Sequence, residues 1–540
     1  MTAEPPPTSS AGATDAGPPG VPAARRQSAL SATREPFVPP RPVLDQVSGR
    51  VLDPGTALAV AGVRPRSTAY VGPRLLVSRT PALAETVRQL REVAATLGWD
   101  ARLHPDDADV EGSPEPGRGV VRLELTVRDS VAALAPDGWV LLQNARATTS
   151  PEAMRRVGLD HVVLVRDLDP TPFHKPHPFH KPHGVDESDV VASYGRAGSG
   201  GRQPVAYVGP APVRHTDDEL EGRRPVVGVL DSGCGRHDWL VEAVSPGPAL
   251  DDLAIGYTDP ASDPETWFDQ VGPLDGAIDP LAGHGTFIAG LVHQACPDAD
   301  IVAWRIVGSD GPVLESDLVT ALSRIRDLAR RHRDGQEGGH PLDVLSLSLG
   351  YYHETPEDAL FDPTMQEILD DLGDCGVVVV CSAGNDATGR PMFPAAFAPW
   401  ADGGGAAASP QRVPVVSVGA LNPNGTDALF SNAGPWVRAW APGAAVLSTV
   451  PPFQGGLEPG ARTEAYQRVR EAIDPDDFTG GFALWSGTSF AAPLLAGRLA
   501  AELLDHVSPD HDGRADACAR AWTALERLTD LVPREPSGPQ

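Results

Sequence analysis

Residues 225–233 read PVVGVLDSG. From Val226 to Leu230 no polar residue interrupts the run, so it reads as a strand buried on both faces, closed by the turn-forming Ser232 and Gly233. Four further runs are nearly continuous in apolar residues: Ile301–Val307, Val344–Leu349, Val377–Cys381 and Val413–Val418. Between them lie stretches long enough for helices, such as Glu315–His332 and Pro363–Leu372. Short apolar strands alternating with helices predict an α/β domain with a doubly wound, mostly parallel sheet over 225–505. In such a sheet, reactive groups collect at the carboxyl ends of the strands.

Those ends carry chemistry. Asp231 closes the first run, and Asn385 lies in CSAGND directly after the apolar VVVVCS. His284 stands between glycines in GHGTFIAG, with a small-residue helix starting behind it. Ser489 lies in WSGTSFAAPLLAG (485–497), where a strand end, a tight Gly–Thr turn and the head of an Ala/Leu-rich helix meet. A hydroxyl there sits in the positive field of the helix N-terminus, beside backbone N–H groups without helical partners. Pro493 is expected in the first turn of that helix, where few N–H bonds exist to lose. Singly, the Asp and Asn read as turn formers, the His as structural and the Ser as a helix cap. Together, in the order Asp, His, Asn, Ser, they supply an acid, an imidazole, an amide and a hydroxyl.

Four motifs in that order resemble the subtilisin-like serine proteases: VGVLDSGCGRH around Asp231, HGTFIAGLV from His284, SAGN ending in Asn385, and SGTSFAAPLLAG around Ser489. The resemblance implies a serine endopeptidase in which Ser489 attacks a peptide carbonyl. His284 would take its proton, Asp231 would orient the imidazole, and Asn385 with the Ser489 N–H would form an oxyanion hole. Phe490 would pack the site. AWRIVGSDG (303–311) and LSLSLG (345–350) resemble the two segments that line the family's cleft. Gly311, Ser348, Leu349 and Gly350 are thereby expected to bind extended substrate. Gly350 with Ala383 and Gly384 would flank the side-chain pocket, whose floor is left to an insertion. Insertions near 245–280, 386–412 and 452–480 account for the long Asp231–His284 and His284–Ser489 intervals. The family's calcium ligands have no counterpart in these residues, so no metal site and no cofactor is expected. Protein or peptide is the expected substrate. Two alternatives remain: a catalytically silent peptide-binding module, and a maturation protease or transpeptidase dedicated to one peptide.

Ahead of this domain, residues 41–168 read as a small ferredoxin-like α+β module, a propeptide or an accessory domain. Leu83, Val87, Leu90, Ala94 and Leu97 mark one helix face. Leu75–Val77, Trp99–Leu103, the alternating Val121–Val127 and His161–Val165 predict strands, with Trp139–Leu142 as a further one. Ser150–Pro151 is the expected start of the second helix. Residues 1–40, rich in Pro, Ala, Ser and Gly, are expected to be a disordered tail. Residues 169–224 are expected to be a linker, with PFHKPH repeated in tandem from Pro172 to His183. In a polyproline II conformation His174, His177, His180 and His183 would fall along one edge and could hold zinc or nickel loosely; the repeat is read as a solvated spacer. Residues 506–540 are expected to form a C-terminal helix and tail.

The formal net charge of −28 argues against nucleic-acid and anionic-membrane partners, whose phosphates would repel the chain. Only two of the 44 basic residues are lysines, Lys175 and Lys181, a bias that resembles proteins from GC-rich bacterial genomes. The N-terminus lacks the apolar core of a secretory signal, and no apolar run is long enough to span a bilayer. Five sparse cysteines are expected to be buried free thiols. These features predict a cytoplasmic protein. Composition says nothing about oligomeric state.

Overall fold

The computed structural model describes residues 35–60, 62–110, 119–128, 134–149, 153–165, 191–309, 311–355, 363–406, 408–504, 506–507 and 512–533. After a short helix α1 (Arg41–Gln46), the N-terminal module runs β1 (Gly49–Leu52), β2 (Thr68–Ser78), α2 (Leu83–Thr96), β3 (Trp99–Leu103), β4 (Val120–Val127), α3 (Gly138–Thr148) and β5 (Val157–Leu164). Its strands pair antiparallel in the order β5-β2-β4-β3, with β1 beside β2. From β2 onward this is the βαββαβ winding of a ferredoxin-like fold. The apolar face of α2 packs Val87, Leu90 and Ala94 onto Leu75, Val77, Val121 and Leu123.

One expected strand is a helix. Trp139–Leu142 lies in α3, because Asp137 caps it by accepting from the Val140 N–H at 3.1 Å. Trp139, Leu142 and Ala145 then recur every three residues on a buried stripe. Ser150 and Pro151 lie outside the described residues. The expected second helix there gives way to α3, which ends before them, and to a turn over 153–156 that leads into β5.

The larger domain is a seven-stranded sheet in the order β14-β13-β12-β11-β7-β9-β8, every pair parallel. These strands are β7 (Val226–Asp231), β8 (Val244–Pro246), β9 (Asp300–Arg305), β11 (Val344–Leu347), β12 (Val378–Ser382), β13 (Val416–Leu421) and β14 (Ala439–Pro442). Alternation splits each strand between two cores. Val227 and Val229 face α4 (His284–Ala295) and α7 (Thr488–Leu503), whereas Val226 and Leu230 face α5 (Glu315–Arg333) and α6 (Thr364–Asp374). Both faces are covered, which is why these strands read as continuous apolar runs. The C-terminal helix α8 (Arg514–Leu528) packs Trp522 and Leu525 into the α4–α7 core.

Two boundaries move. The second half of the expected linker belongs to the larger domain: Val191 is buried in its core, and β6 (Gln203–Pro204) pairs with the strand Phe482–Trp485 that precedes α7. Arg202 donates to the carbonyls of Ile278, Asp279, Pro280 and Ala282 and lies over the Trp485 ring. The PFHKPH repeat lies outside the described residues. The end of the expected tail is also docked, through Glu35 to Arg390 at 3.0 Å and the Phe37 N–H to Asp386 at 3.2 Å.

The module sits on the heads of α5 and α6. Asp160 accepts from both the N–H and Oγ of Ser316, in the first turn of α5, at 3.0 Å. Ser78 and Thr364 share a hydroxyl hydrogen bond at the head of α6, and Arg156 pairs with Glu367 one turn further on. The seam is continued by backbone: β5 pairs antiparallel with β10 (Pro312–Leu314), the strand entering α5.

Candidate active site

Asp231 ends β7 with its carbonyl held by the N–H groups of Ile306 and Val307, at 2.7 and 3.1 Å. Its Oδ1 accepts from the Ser232 N–H at 2.8 Å and lies 2.6 Å from His284 Nδ1. A carboxylate acceptor there keeps the proton on Nδ1 and leaves Nε2 as the basic nitrogen. His284 is the first residue of α4. The glycine after it has a steric reason: a Cβ on Gly285 would lie 2.1 Å from the Gly233 carbonyl oxygen.

Glu265 completes this corner, and the sequence reading passed over it. The carboxylate is buried at 3% exposure and accepts from Ser232 Oγ at 2.5 Å, the Gly285 N–H at 2.8 Å, and the N–H and Oγ1 of Thr286. It thus ties the residue after Asp231 to the two residues after His284, at the positive end of α4. Burial pushes its carboxyl up to about 7, against the lowering pull of those hydrogen bonds. Glu265 lies in the long Asp231–His284 interval, where no motif or periodicity singles it out. The DPE turn that brings it inward, with Asp263 accepting from the Glu265 N–H, looks like any surface loop in sequence.

Ser489 is the second residue of α7. The Trp485 ring, at the end of the preceding strand, and the Phe490 ring lie 5.6 and 5.4 Å from the His284 ring, and α4 packs along α7. Asn385 reaches the same turn from the end of β12. Its Oδ1 accepts from the N–H and Oγ1 of Thr488 at 2.9 and 2.8 Å, which turns its NH₂ group toward the Gly487–Ser489 turn. A Cβ on Gly487 would lie 3.4 Å from Asn385 Nδ2. Thr488 Oγ1 in turn accepts from the Gly384 N–H at 3.0 Å. Pro493 falls in the second turn of α7, later than expected. Lacking an N–H, it leaves the Ser489 carbonyl without its helical donor, and Ser348 Oγ donates there instead at 2.9 Å. Asp231, His284, Asn385 and Ser489 are all under 5% exposed.

The two segments expected to hold substrate already hold a strand. Leu164, the last residue of β5, exchanges both backbone hydrogen bonds with Gly350, at 2.9 and 3.1 Å. Its opposite edge and the two residues before it pair with Pro312–Leu314, directly after Gly311. β5 therefore ends as the middle strand between these two edges. Ser348 and Leu349 lie beneath them, Ser348 committed to Ser489. Around Gly350 and Gly384 the space is taken by Met392, from the 386–412 stretch, and Ala383 is fully buried. A Cβ on Gly350 would lie 2.7 Å from the Met392 Cε, and one on Gly384 2.6 Å from its Sδ. Among the described residues, His161, His353 and Glu354 are the group of His, Cys, Asp and Glu side chains close enough to share an ion. Two imidazoles do not fit the oxygen shell that calcium takes.

The subtilase family model matches residues 222–512. The chain belongs to the subtilase family. It is a subtilisin-like serine protease, acting on protein or peptide. Among its relatives are the intracellular serine protease of Paenibacillus polymyxa, 25% identical over 52% of this chain and 68% of the relative, and the major intracellular serine protease of Bacillus subtilis strain 168, 23% identical over 52% and 69%. An extracellular protease of Xanthomonas campestris is 26% identical over 60% of this subtilase and 51% of its own length. Among solved structures, fervidolysin from Fervidobacterium pennivorans, a keratinolytic enzyme related to subtilisin, is 19% identical over 84% of this chain and 57% of its own, with a TM-score of 0.43. Among the described residues, no helix of this subtilase is long and apolar enough to cross a membrane.

Proposed function

We propose that this subtilase is an endopeptidase that works through an acyl-enzyme on Ser489. The observation that carries this is the 2.6 Å Asp231–His284 pair, set against the two rings that flank Ser489. As Ser489 Oγ attacks the peptide carbonyl, His284 Nε2 takes its proton; the carbonyl oxygen gains charge beside the Asn385 amide and the Ser489 N–H. The tetrahedral species collapses as His284 returns the proton to the leaving amine. Water then repeats the sequence in reverse, releasing the acid and restoring the hydroxyl. Asp231 holds the imidazole tautomer and balances the imidazolium. Gly311, Leu349 and Gly350 supply backbone edges for the substrate, and Ala383, Gly384 and Met392 bound its side-chain pocket.

A fluorophosphonate probe tests the assignment. Labelling of the wild type that disappears in Ser489→Ala is the expected result. Labelling that survives the substitution removes Ser489 from its role, and an unlabelled, folded wild type returns the chain to a silent peptide-binding module.

The module of residues 41–165 is, in this reading, a tethered inhibitor, supported by β5 lying between Gly350 and β10. Full-length wild type is expected to shorten on incubation by cleavage between Val165 and Val191, whereas Ser489→Ala stays intact. Equal stability of the two by intact-mass spectrometry would make the module a permanent domain. The five unpaired cysteines favour a reducing compartment, hence the cytoplasm.

A further inference from the structure

A buried ionic cluster lies on the seam between module and protease. His161, on β5, is 1% exposed; its Nδ1 lies 2.5 Å from Glu315 Oε2 and its Nε2 2.8 Å from Glu354 Oε2. With a carboxylate oxygen at each nitrogen, both nitrogens donate and the ring is an imidazolium. Burial alone would lower its pKa, but the two carboxylates carry it up to about 10. His353, beside it, is different: burial takes it down to about 4, and its Nδ1 accepts from the Thr355 N–H at 3.0 Å. Tyr351 stacks on the His161 ring, 4.6 Å between centroids, and donates its hydroxyl to Glu315 at 2.7 Å. With both His161 nitrogens committed as donors, the cation of this cluster is the side chain itself, and no ring lone pair is left for a metal.

The origin of the groups matters. Glu315, Tyr351 and Glu354 all belong to the protease domain, and they stand directly behind the two edges that grip β5: Glu315 follows β10, and Glu354 lies four residues after Gly350. The cation comes from the strand in the cleft, three residues before the residue that pairs with Gly350. Removal of that strand takes from both carboxylates the cation they share, a cost that an incoming cation relieves. A planar guanidinium would meet the Tyr351 ring face as the imidazolium does.

We propose that Glu315, Glu354 and Tyr351 form a subsite for a basic side chain of the peptide substrate, three residues N-terminal to the one that pairs with Gly350, and that His161 fills it in the resting chain. This rests on the reading that β5 lies where substrate lies. A basic residue at that position is selected because an acidic one would bring a third carboxylate to the pair.

Two measurements test it. In the full-length Ser489→Ala chain, amide hydrogen exchange of Val162–Leu164 reports how firmly β5 is seated. His161→Lys is expected to keep its protection, while His161→Gln loses about tenfold or more. Equal protection in the two variants overturns a cation-selective pocket. On the active chain, peptides differing only in Arg, Lys, Gln or Glu at that position are compared by kcat/KM. Basic peptides are expected to lead by about tenfold, with the lead shrinking in both Glu354→Gln and Glu315→Gln. Cleavage without a charge preference removes the subsite alone. Failure to cut any peptide removes the endopeptidase reading, and the subsite with it.

Discussion

Ser348 donates its hydroxyl to the carbonyl of Ser489, the group that Pro493 deprives of its helical N–H. The two side chains therefore form one device: a proline inside a helix opens a carbonyl, and a serine from the end of β11 closes it, tying the head of α7 to the sheet. Ser348→Ala leaves that buried carbonyl unsatisfied and is expected to cost about 1–3 kcal/mol. Pro493→Ala restores an N–H in the right place, so Ser348→Ala is expected to cost clearly less in that background. A double-mutant cycle by denaturant unfolding measures the coupling. Additive losses would show that Pro493 does not create the need for Ser348.

Asn385 has two ends with separate duties. Its oxygen holds Thr488, and its nitrogen is proposed to meet the oxyanion. Asn385→Ala removes both; Asn385→Asp keeps the acceptor for Thr488 and sets a negative charge where charge must build. Asn385→Ala is expected to lower kcat by about 10² to 10³ with little change in KM. Asn385→Asp should be at least as slow while unfolding closer to the wild-type temperature. Near-normal turnover in Asn385→Asp would take the amide out of the transition state.

Glu265 ties Ser232 to the residues behind His284 at a pH-dependent cost. Its folded value of about 7 lies above the ordinary 4.5, so the folded chain binds the proton more tightly, and this group's contribution to stability falls as pH rises from about 4.5 to about 7. The span corresponds to roughly 3 kcal/mol. Glu265→Gln does not titrate, so its stability difference from wild type should drift by an amount of that order between pH 4.5 and 7.5 and stay level above. A flat difference across the range means that Glu265 is ionised throughout.

The parallel sheet was legible because burial on both faces writes apolar runs, and the four polar residues were legible from where they stand: Asp231 and Asn385 just past the ends of such runs, His284 between glycines and Ser489 at the heads of small-residue helices. Glu265 and Met392 were not, since both come from irregular segments whose inward turn is set by tertiary contacts. The strand expected at Trp139–Leu142 shows a second limit. Four apolar residues suit either period, and the deciding signal was the Asp137 cap before them. The segment from Val191 to Arg224 looks like a linker in composition, yet Val191 and Arg202 dock it, the guanidinium saturating carbonyls that no pattern announces. The pairing of β5 with β10 joins segments about 150 residues apart, and neither alone shows that it needs an edge.

That pairing has its own pH dependence. His161 faces Glu315 and Glu354, with His353 and Tyr351 packed around it; its folded value of about 10 lies above the free imidazole value of 6.5. A basic group raised in this way contributes fully below about pH 6.5, and its contribution is lost as pH rises through 10. Seating of the module in Ser489→Ala should therefore hold from mildly acidic to neutral pH and weaken progressively toward pH 10. Glu354 does not reverse this on the acid side, because the His161 cation holds its carboxyl below the usual range in spite of burial. Hydrogen exchange of Val162–Leu164 between pH 6 and 10, corrected for the intrinsic rate, follows the transition. His161→Gln should show weaker but nearly pH-independent protection over the same window; a wild-type profile as flat as that of the glutamine variant would mean that His161 is neutral in its pocket.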